Sequence, residues 1–240
     1  MKRILGLVIA AGLVSVLATA QPDDGFIYMP AERVFIPTGF DDNDQVEIVV
    51  DGMLPSSCYE VVAGDWALNP DDRSVTLYPK AIERTGGLCM PVLVPFTQVF
   101  NLGVLPMGDY EIKVDGVDTK SLGIAEASNS GPDDVIYASI DNAYVLEYPA
   151  QGEHRILLEG NYTSTCMFWD KVELIVNDPS VIEVLPTVRV EDRPDCEDRI
   201  VPFKGISVEL PDLVGEGRYL LHVRSMNGNS VNRVFSYEPL

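Results

Sequence analysis

Side chains able to do acid–base or nucleophilic chemistry near neutral pH are scarce in this 240-residue chain. It holds two histidines, His154 and His222, and four cysteines. No Gly-x-Ser-x-Gly run and no His-Glu-x-x-His run is present to recruit either histidine to catalysis. No two cysteines or histidines lie two to four residues apart, the spacing on which a zinc site is built. Positive charge is scarce too, with 17 Lys and Arg against 37 Asp and Glu and a net charge of −20. The deficit is even: residues 21–124 hold 17 acids against 6 bases, and residues 125–240 hold 20 against 9. An evenly acidic surface favours solubility and disfavours nucleic acid or anionic membranes as partners. With so many acids, some pair always falls at a glycosidase separation, so carboxylates alone identify no hydrolase. Long helices are missing as well, because no stretch of about 12 residues holds a helical period without meeting Pro or Gly.

The single long apolar run sits at the start. Lys2 and Arg3 precede Ile4 to Leu17, and Ala18-Thr19-Ala20 follows. A basic start, an apolar stretch short of the roughly 20 residues of a membrane span, and small residues at the last and third-last positions make a secretory signal peptide over residues 1–20. Cleavage after Ala20 leaves Gln21 first, and no cysteine follows it to carry a bacterial lipid anchor. The expected location is therefore secreted or periplasmic, without membrane insertion once the signal is removed. In an oxidising compartment the cysteines read as disulfide partners rather than ligands or nucleophiles. Four cysteines allow three pairings.

A repeated frame chooses among them. Pro79, Cys89 and Phe96 return 107 residues later as Pro186, Cys196 and Phe203. Gly52 and Cys58 return 108 later as Gly160 and Cys166, and Gly108 and Tyr110 return 109 later as Gly217 and Tyr219. Offsets that drift by two residues over such a span indicate one fold made twice. Each copy carries one early and one late cysteine, so Cys58–Cys89 and Cys166–Cys196 are the symmetric pairs. The small, polar stretch Glu126 to Pro132 reads as a linker. Two units of residues 21–130 and 131–240 follow, each of ordinary domain size.

Within a unit the period is two. Val46, Ile48 and Val50 alternate with Gln45, Glu47 and Asp51, and Tyr110, Ile112 and Val114 alternate with Glu111 and Lys113. Turn signals such as Asp51-Gly52, Asn69-Pro70-Asp71-Asp72, Gly86-Gly87 and Asp115-Gly116 interrupt these runs. Short alternating strands with frequent turns make an antiparallel β-sandwich. The run Leu105-Pro106-Met107-Gly108-Asp109-Tyr110 leading into Ile112 and Val114 resembles the start of a late strand in immunoglobulin-like domains of secreted bacterial proteins. The second copy, Val214-Gly215-Glu216-Gly217-Arg218-Tyr219, lacks the proline. Ile112 and Leu221 stand where antibody-type domains place a cysteine. The resemblance implies an all-β fold of two tandem antiparallel immunoglobulin-like sandwiches, one disulfide each, and no particular function.

Function is read largely from what does not repeat. His154 aligns with Val46, and His222 aligns with Lys113, which places it toward solvent. The run Asp41-Asp42-Asn43-Asp44 invites calcium, but its continuation puts Val46 and Gly52 where an EF-hand needs Gly and Glu. A solvated turn is the better reading, with a looser calcium site as the alternative. No cofactor, metal or catalytic residue is assigned. The expected role is non-catalytic: binding a protein partner or serving in a surface assembly. Exposed anchors are expected in the loops where the copies diverge, Trp66 within Gly64–Arg73 and Arg193 within Glu191–Arg199. Tyr110 and Tyr219, after Gly108 and Gly217, are read as structural. The rivals are a hydrolase or glycan-binding accessory protein using carboxylates and aromatics, and a purely structural spacer. Intact-mass measurement of the secreted protein is expected to give a chain beginning at Gln21; a start well beyond Asp24 overturns the signal-peptide reading.

Overall fold

The computed structural model describes residues 25–84, 86–131, 133, 135–148, 153–176 and 179–239; the signal peptide and Gln21 lie outside the described residues. Period-two sequence becomes strand throughout. The first half holds β1 (Phe26–Tyr28), β2 (Arg33–Phe35), β3 (Val46–Leu54), β4 (Tyr59–Asn69), β5 (Ser74–Glu83), β6 (Val94–Gly103), β7 (Gly108–Val114) and β8 (Lys120–Ile124). The second holds β9 (Ser139–Tyr148), β10 (Glu153–Tyr162), β11 (Met167–Ile175), β12 (Val181–Val190), β13 (Val201–Glu209), β14 (Gly217–Ser225) and β15 (Asn229–Tyr237), with a 3-10 turn at Met226–Gly228.

Each half is two facing sheets. In the first, β2-β3-β6 faces a sheet in which β4 lines one edge of β5 while β1 and β7 share the other, with β8 outside β7. In the second, β9-β10-β13 faces β11-β12-β14-β15. Alternate residues of both layers meet in the core. Val46, Ile48, Val50, Val75, Leu77, Tyr110 and Ile112 fill the first, and Ile156, Leu158, Ile182, Val184, Tyr219, Leu221 and Val223 fill the second.

The antiparallel expectation is corrected for one strand pair in each half: β5 with β7 and β12 with β14 are parallel, and the isolated Asp41–Ala125 bridge is parallel too. Between the members of each pair the chain crosses to the opposite sheet, as β6 or β13, and returns. Such a crossover brings the strand back in its original direction, whereas a tight hairpin reverses it.

The same registers recur at the offsets of the sequence frame. Tyr28 opposes Lys80 as Tyr137 opposes Thr187, and Val34 opposes Val50 as Ala143 opposes Leu158. Val75 opposes Ile112 as Ile182 opposes Leu221. Gly52 opposes Phe96 as Gly160 opposes Phe203. The last pair shows why glycine travels with phenylalanine. A Cβ on Gly52 would stand 2.8 Å from the Phe96 ring, and one on Gly160 would stand 2.9 Å from the Phe203 ring and 2.0 Å from the Ser139 carbonyl oxygen.

The cysteine corners are built alike as well. Cys58 is bonded to Cys89 and Cys166 to Cys196, with Cα separations of 5.2 and 5.4 Å. The Arg84 amide donates to the Cys58 carbonyl at 2.7 Å, and the Glu191 amide to the Cys166 carbonyl at 2.9 Å. The Met90 amide donates to the Ser57 hydroxyl at 2.9 Å, and the Glu197 amide to the Thr165 hydroxyl at 3.0 Å. Each bridge thus holds a loop that is also pinned by its own backbone.

At the opposite frame point the ring of Tyr110 is buried and its hydroxyl donates to the Pro106 carbonyl at 2.8 Å. Tyr219 is buried likewise, its hydroxyl within 2.9 Å of the Gly215 carbonyl and 3.0 Å of that of Val214. Gly108 precedes Tyr110 with φ +147°, where its missing side chain leaves room for the Arg73 guanidinium. Tyr110→Ala and Tyr219→Ala are each expected to cost about 3 to 5 kcal/mol in chemical denaturation. Tyr→Phe at either site should cost about 1 kcal/mol, the value of the lost hydroxyl bond. An alanine variant of full stability overturns the equivalence of the two tyrosines.

Candidate binding surfaces

Three of the titratable groups that burial perturbs, Asp44, Asp51 and His222, lie where the halves meet. Strand pleat sends Val46, Ile48 and Val50 of β3 into the first core, so Glu47, Val49 and Asp51 face outward. Strand β14 sends Tyr219, Leu221 and Val223 into the second core, so Arg218, Leu220, His222 and Arg224 face outward. These outward faces lie against each other. Phe35, Val49, Val181 and Leu220 form a dry cluster between them. Around it, the Thr38 amide and hydroxyl both donate to Glu183 Oε1 at 2.6 Å. Arg224 meets Asp44 at 3.4 Å, donates to the Gly39 carbonyl at 3.3 Å, and lies 4.5 Å from the centre of the Phe40 ring. Arg33 donates to the Arg218 carbonyl at 3.0 Å, and Arg218 stands 3.1 Å from the carboxylate of Asp51.

Burial raises the pKa of Asp44 against the attraction of Arg224, and that of Asp51 against Arg218 and Arg33. Neither Asp51 oxygen receives an aligned hydrogen bond, so the contact with Arg218 is an ion pair by distance alone. Both acids face cations across the junction, and Asp44 also accepts the Asp41 amide.

The expectation that His222 points to solvent is corrected here: the side chain is 1% exposed. It lies on the outward face, as the alignment implied, but that face is covered by the other half. Its Nδ1 pairs with Asn232 Oδ1 at 2.8 Å, and Asn232 Nδ2 donates to Glu47 at 2.7 Å. That assigns the proton to Nδ1 and leaves Nε2 without a partner. Burial, with Arg224 nearby, holds the imidazole pKa down at about 4, against the pull of the Asn232 contact.

The Asp41–Asp44 run is also corrected, from a solvated turn to a tied connector. Asp41 bridges to Ala125, and Asp42 Oδ1 accepts the Ala127 amide at 2.9 Å. Asp41 Oδ1 accepts the Asn43 amide and Asp44 Oδ2 the Asp41 amide, both at 3.1 Å. Its carboxylates thus serve backbone amides and Arg224 rather than converging on one point. The linker is held by the same turn, through Asn43 Nδ2 on the Asn129 carbonyl at 2.8 Å. Among the described residues the one close group of potential metal ligands is Cys166, Asp195 and Cys196, whose sulfurs are bonded to each other.

Trp66 lies in edge strand β4 opposite Leu77, not in a loop, and stays partly exposed. Strand β4 accommodates this length with a bulge between Val62 and Asp65, where the Gln98 side chain donates to the Val62 carbonyl and accepts the Lys80 amide. Trp169 packs edge-on against Phe203 in the second core. Arg193 is in a loop, as read, but is engaged locally. It sits 5.6 Å from the Phe168 ring centre and within 3.6 Å of Glu191 and Asp195.

The surface that sequence reasoning missed is the other disulfide loop. Leu88, Met90, Val92 and Leu93 are 102, 61, 48 and 68% exposed. They flank Cys89 with no charged residue among them, while the matching stretch in the second half, Asp195 to Ile200, holds four charged residues and one exposed apolar residue, Ile200. The signal was the uncharged run from Gly86 to Phe96, which resembles a buried strand when read by composition alone. A cleft of about 640 Å³ also opens between Glu32–Phe35 and Gly116–Lys120 beside Ser180, lined by acids and bases together.

Residues 48–123 match the family model of the ORF11 beta-sandwich domain. That is similarity over about a third of the chain, from within β3 to within β8. No curated protein and no solved structure matches the chain.

The buried histidine sets a pH dependence. Its folded pKa of about 4 lies below the ordinary 6.5, so its contribution to stability is complete above pH 6.5 and is lost as pH falls toward 4. The full difference is about 3 kcal/mol. Asp44 and Asp51, with raised values, act in the opposite sense, because their protonation relieves buried charge as pH falls. Calorimetry between pH 7 and pH 4 should therefore show a smaller loss of Tm in His222→Gln than in the parent. Parallel curves overturn the assignment.

Proposed function

We propose that this is a non-catalytic, secreted or periplasmic protein of two duplicated sandwiches that holds a protein partner, and that the loop Leu88–Leu93 is the contact. The exposed apolar loop carries the reading. Solvent gains nothing from four adjacent large apolar side chains on a pinned loop, and such patches on folded proteins commonly mark interaction sites. The disulfide and the Ser57–Met90 bonds hold the loop before any partner arrives, which lowers the ordering cost of binding.

Duplication is supported by the shared registers, cysteine corners and tyrosine hydroxyl bonds of the two halves. The tyrosine bonding back to a carbonyl four residues upstream is what supports an immunoglobulin-like relationship. The parallel central pair sets these sheets apart from the antibody arrangement. The disulfides fit an oxidising compartment, and among the described residues no helix is long and apolar enough to cross a membrane.

Leu88→Asp with Leu93→Asp should abolish partner capture from the native envelope or medium while Tm stays within a few degrees of the parent. Trp66→Ala and Arg193→Ala test the two anchors read from sequence, and each should matter less than the loop. Retention of the same partner by the double aspartate variant overturns the assignment of the loop. Turnover of a substrate that is lost on mutating a defined acid pair overturns the non-catalytic reading.

A further inference from the structure

Strands β1 and β7 share one edge of β5 without meeting. Strand β1 pairs with Lys80–Ile82 and β7 with Ser74–Leu77, so Tyr78 and Pro79 lie in a gap. Pro79 has no amide hydrogen to extend a ladder, and its carbonyl accepts the Met29 amide at 2.8 Å as β1 turns away. The gap is a slot of about 230 Å³ with Pro79 and Leu77 along β5 and Lys113 to Asp115 at the far end.

Its near walls are aromatic. The rings of Tyr28 and Tyr78 are 5.7 Å apart with planes tilted by 52°, an open wedge, and both are exposed. Phe26 braces Tyr28 edge-on at 5.3 Å, and Lys80 covers Phe26 at 4.5 Å while pairing with Asp65 at 2.6 Å. The fold does not require this wedge. In the second half Tyr137 stands at the place of Tyr28, but Leu185 stands at the place of Tyr78.

The occupant can be read from shape and charge. Aromatic-lined grooves take polyproline-type segments, whose rings pack onto exposed aromatic faces and whose extended backbone is already formed before binding. The one cation lining the slot, Lys113, is committed to Asp72 and Glu111, and Lys80 over the neighbouring Phe26 is committed to Asp65. Asp115 adds a further acid to its lining, on a chain of net charge −20. Such a field attracts a basic ligand and repels an acidic one.

We propose that the Tyr28–Tyr78 wedge binds an extended, proline-containing segment with a basic flank on a partner protein. The site is separate from the Leu88–Leu93 loop and does not depend on that loop's assignment.

The test is fluorescence anisotropy on the protein recovered after expression of the full chain, with a labelled polyproline peptide ending in arginines. The same peptide ending in aspartates and the neutral sugar cellohexaose serve as the other ligands. The arginine-ended peptide should bind, more weakly as salt rises, and the aspartate-ended peptide should bind at least about tenfold less tightly. Tyr78→Leu copies the side chain of the second half and so should keep the fold, and it should weaken binding about tenfold or more. Tyr28→Ala should do the same, and the Leu88→Asp, Leu93→Asp variant should bind as the parent does. No binding by the parent, unchanged binding by Tyr78→Leu, or displacement of the peptide by cellohexaose each overturns the proposal.

Discussion

The outward face of β14 packed on the outward face of β3 is the contact on which the arrangement of the molecule depends. A strand that turns one face to a core ordinarily leaves the other to water. Here both strands are buried on both faces, and the second burial carries charge with it. Asp44, Asp51, Glu183 and Arg224 are taken from water and find partners across the junction, Asp51 with the partly exposed Arg218. Buried ion pairs of this kind contribute little net stability, since desolvation offsets most of the attraction. They do penalise misalignment strongly, because a shifted register leaves a charge without its partner. The apolar cluster of Phe35, Val49, Val181 and Leu220 holds the halves together, and the charges around it set how they are oriented.

That junction separates scaffold from surface. What the halves share is confined to turns, bridges and cores: the Gly–Phe contacts, the cysteine corners and the tyrosine bonds. What they do not share lies outside these points. The first half displays an apolar disulfide loop where the second displays acids, and a tyrosine wedge where the second has leucine. The loop and the wedge both lie on the first half, away from the sheet face that the second half covers, so binding there need not disturb the junction.

Much of the first layer of structure is local and was therefore legible in the chain itself. Alternation of period two gives strands because pleat alternates side chains between faces. The all-β class and the two disulfides follow from short-range patterning and from the matched spacing of the cysteines. The turn that tyrosine hydroxyls close is local as well, spanning four residues. None of these needs knowledge of what a face will meet.

What only the tertiary structure decided concerns the partners of faces and edges. Val49 and Leu220 interrupt the alternation as apolar residues on supposedly wet faces, a mark of the junction that single-strand reading treats as noise. His222 sits on such a face and is buried because another sheet covers it. The parallel pairs β5–β7 and β12–β14 arise from the route of the chain between sheets, which no run of residues encodes locally. The exposure of Leu88 to Leu93 is the converse case, apolar sequence left uncovered. Periodicity states which residues share a side of a strand. Whether that side meets core, neighbour or water depends on contacts between residues far apart in the chain, and those exist only once the sheets have packed.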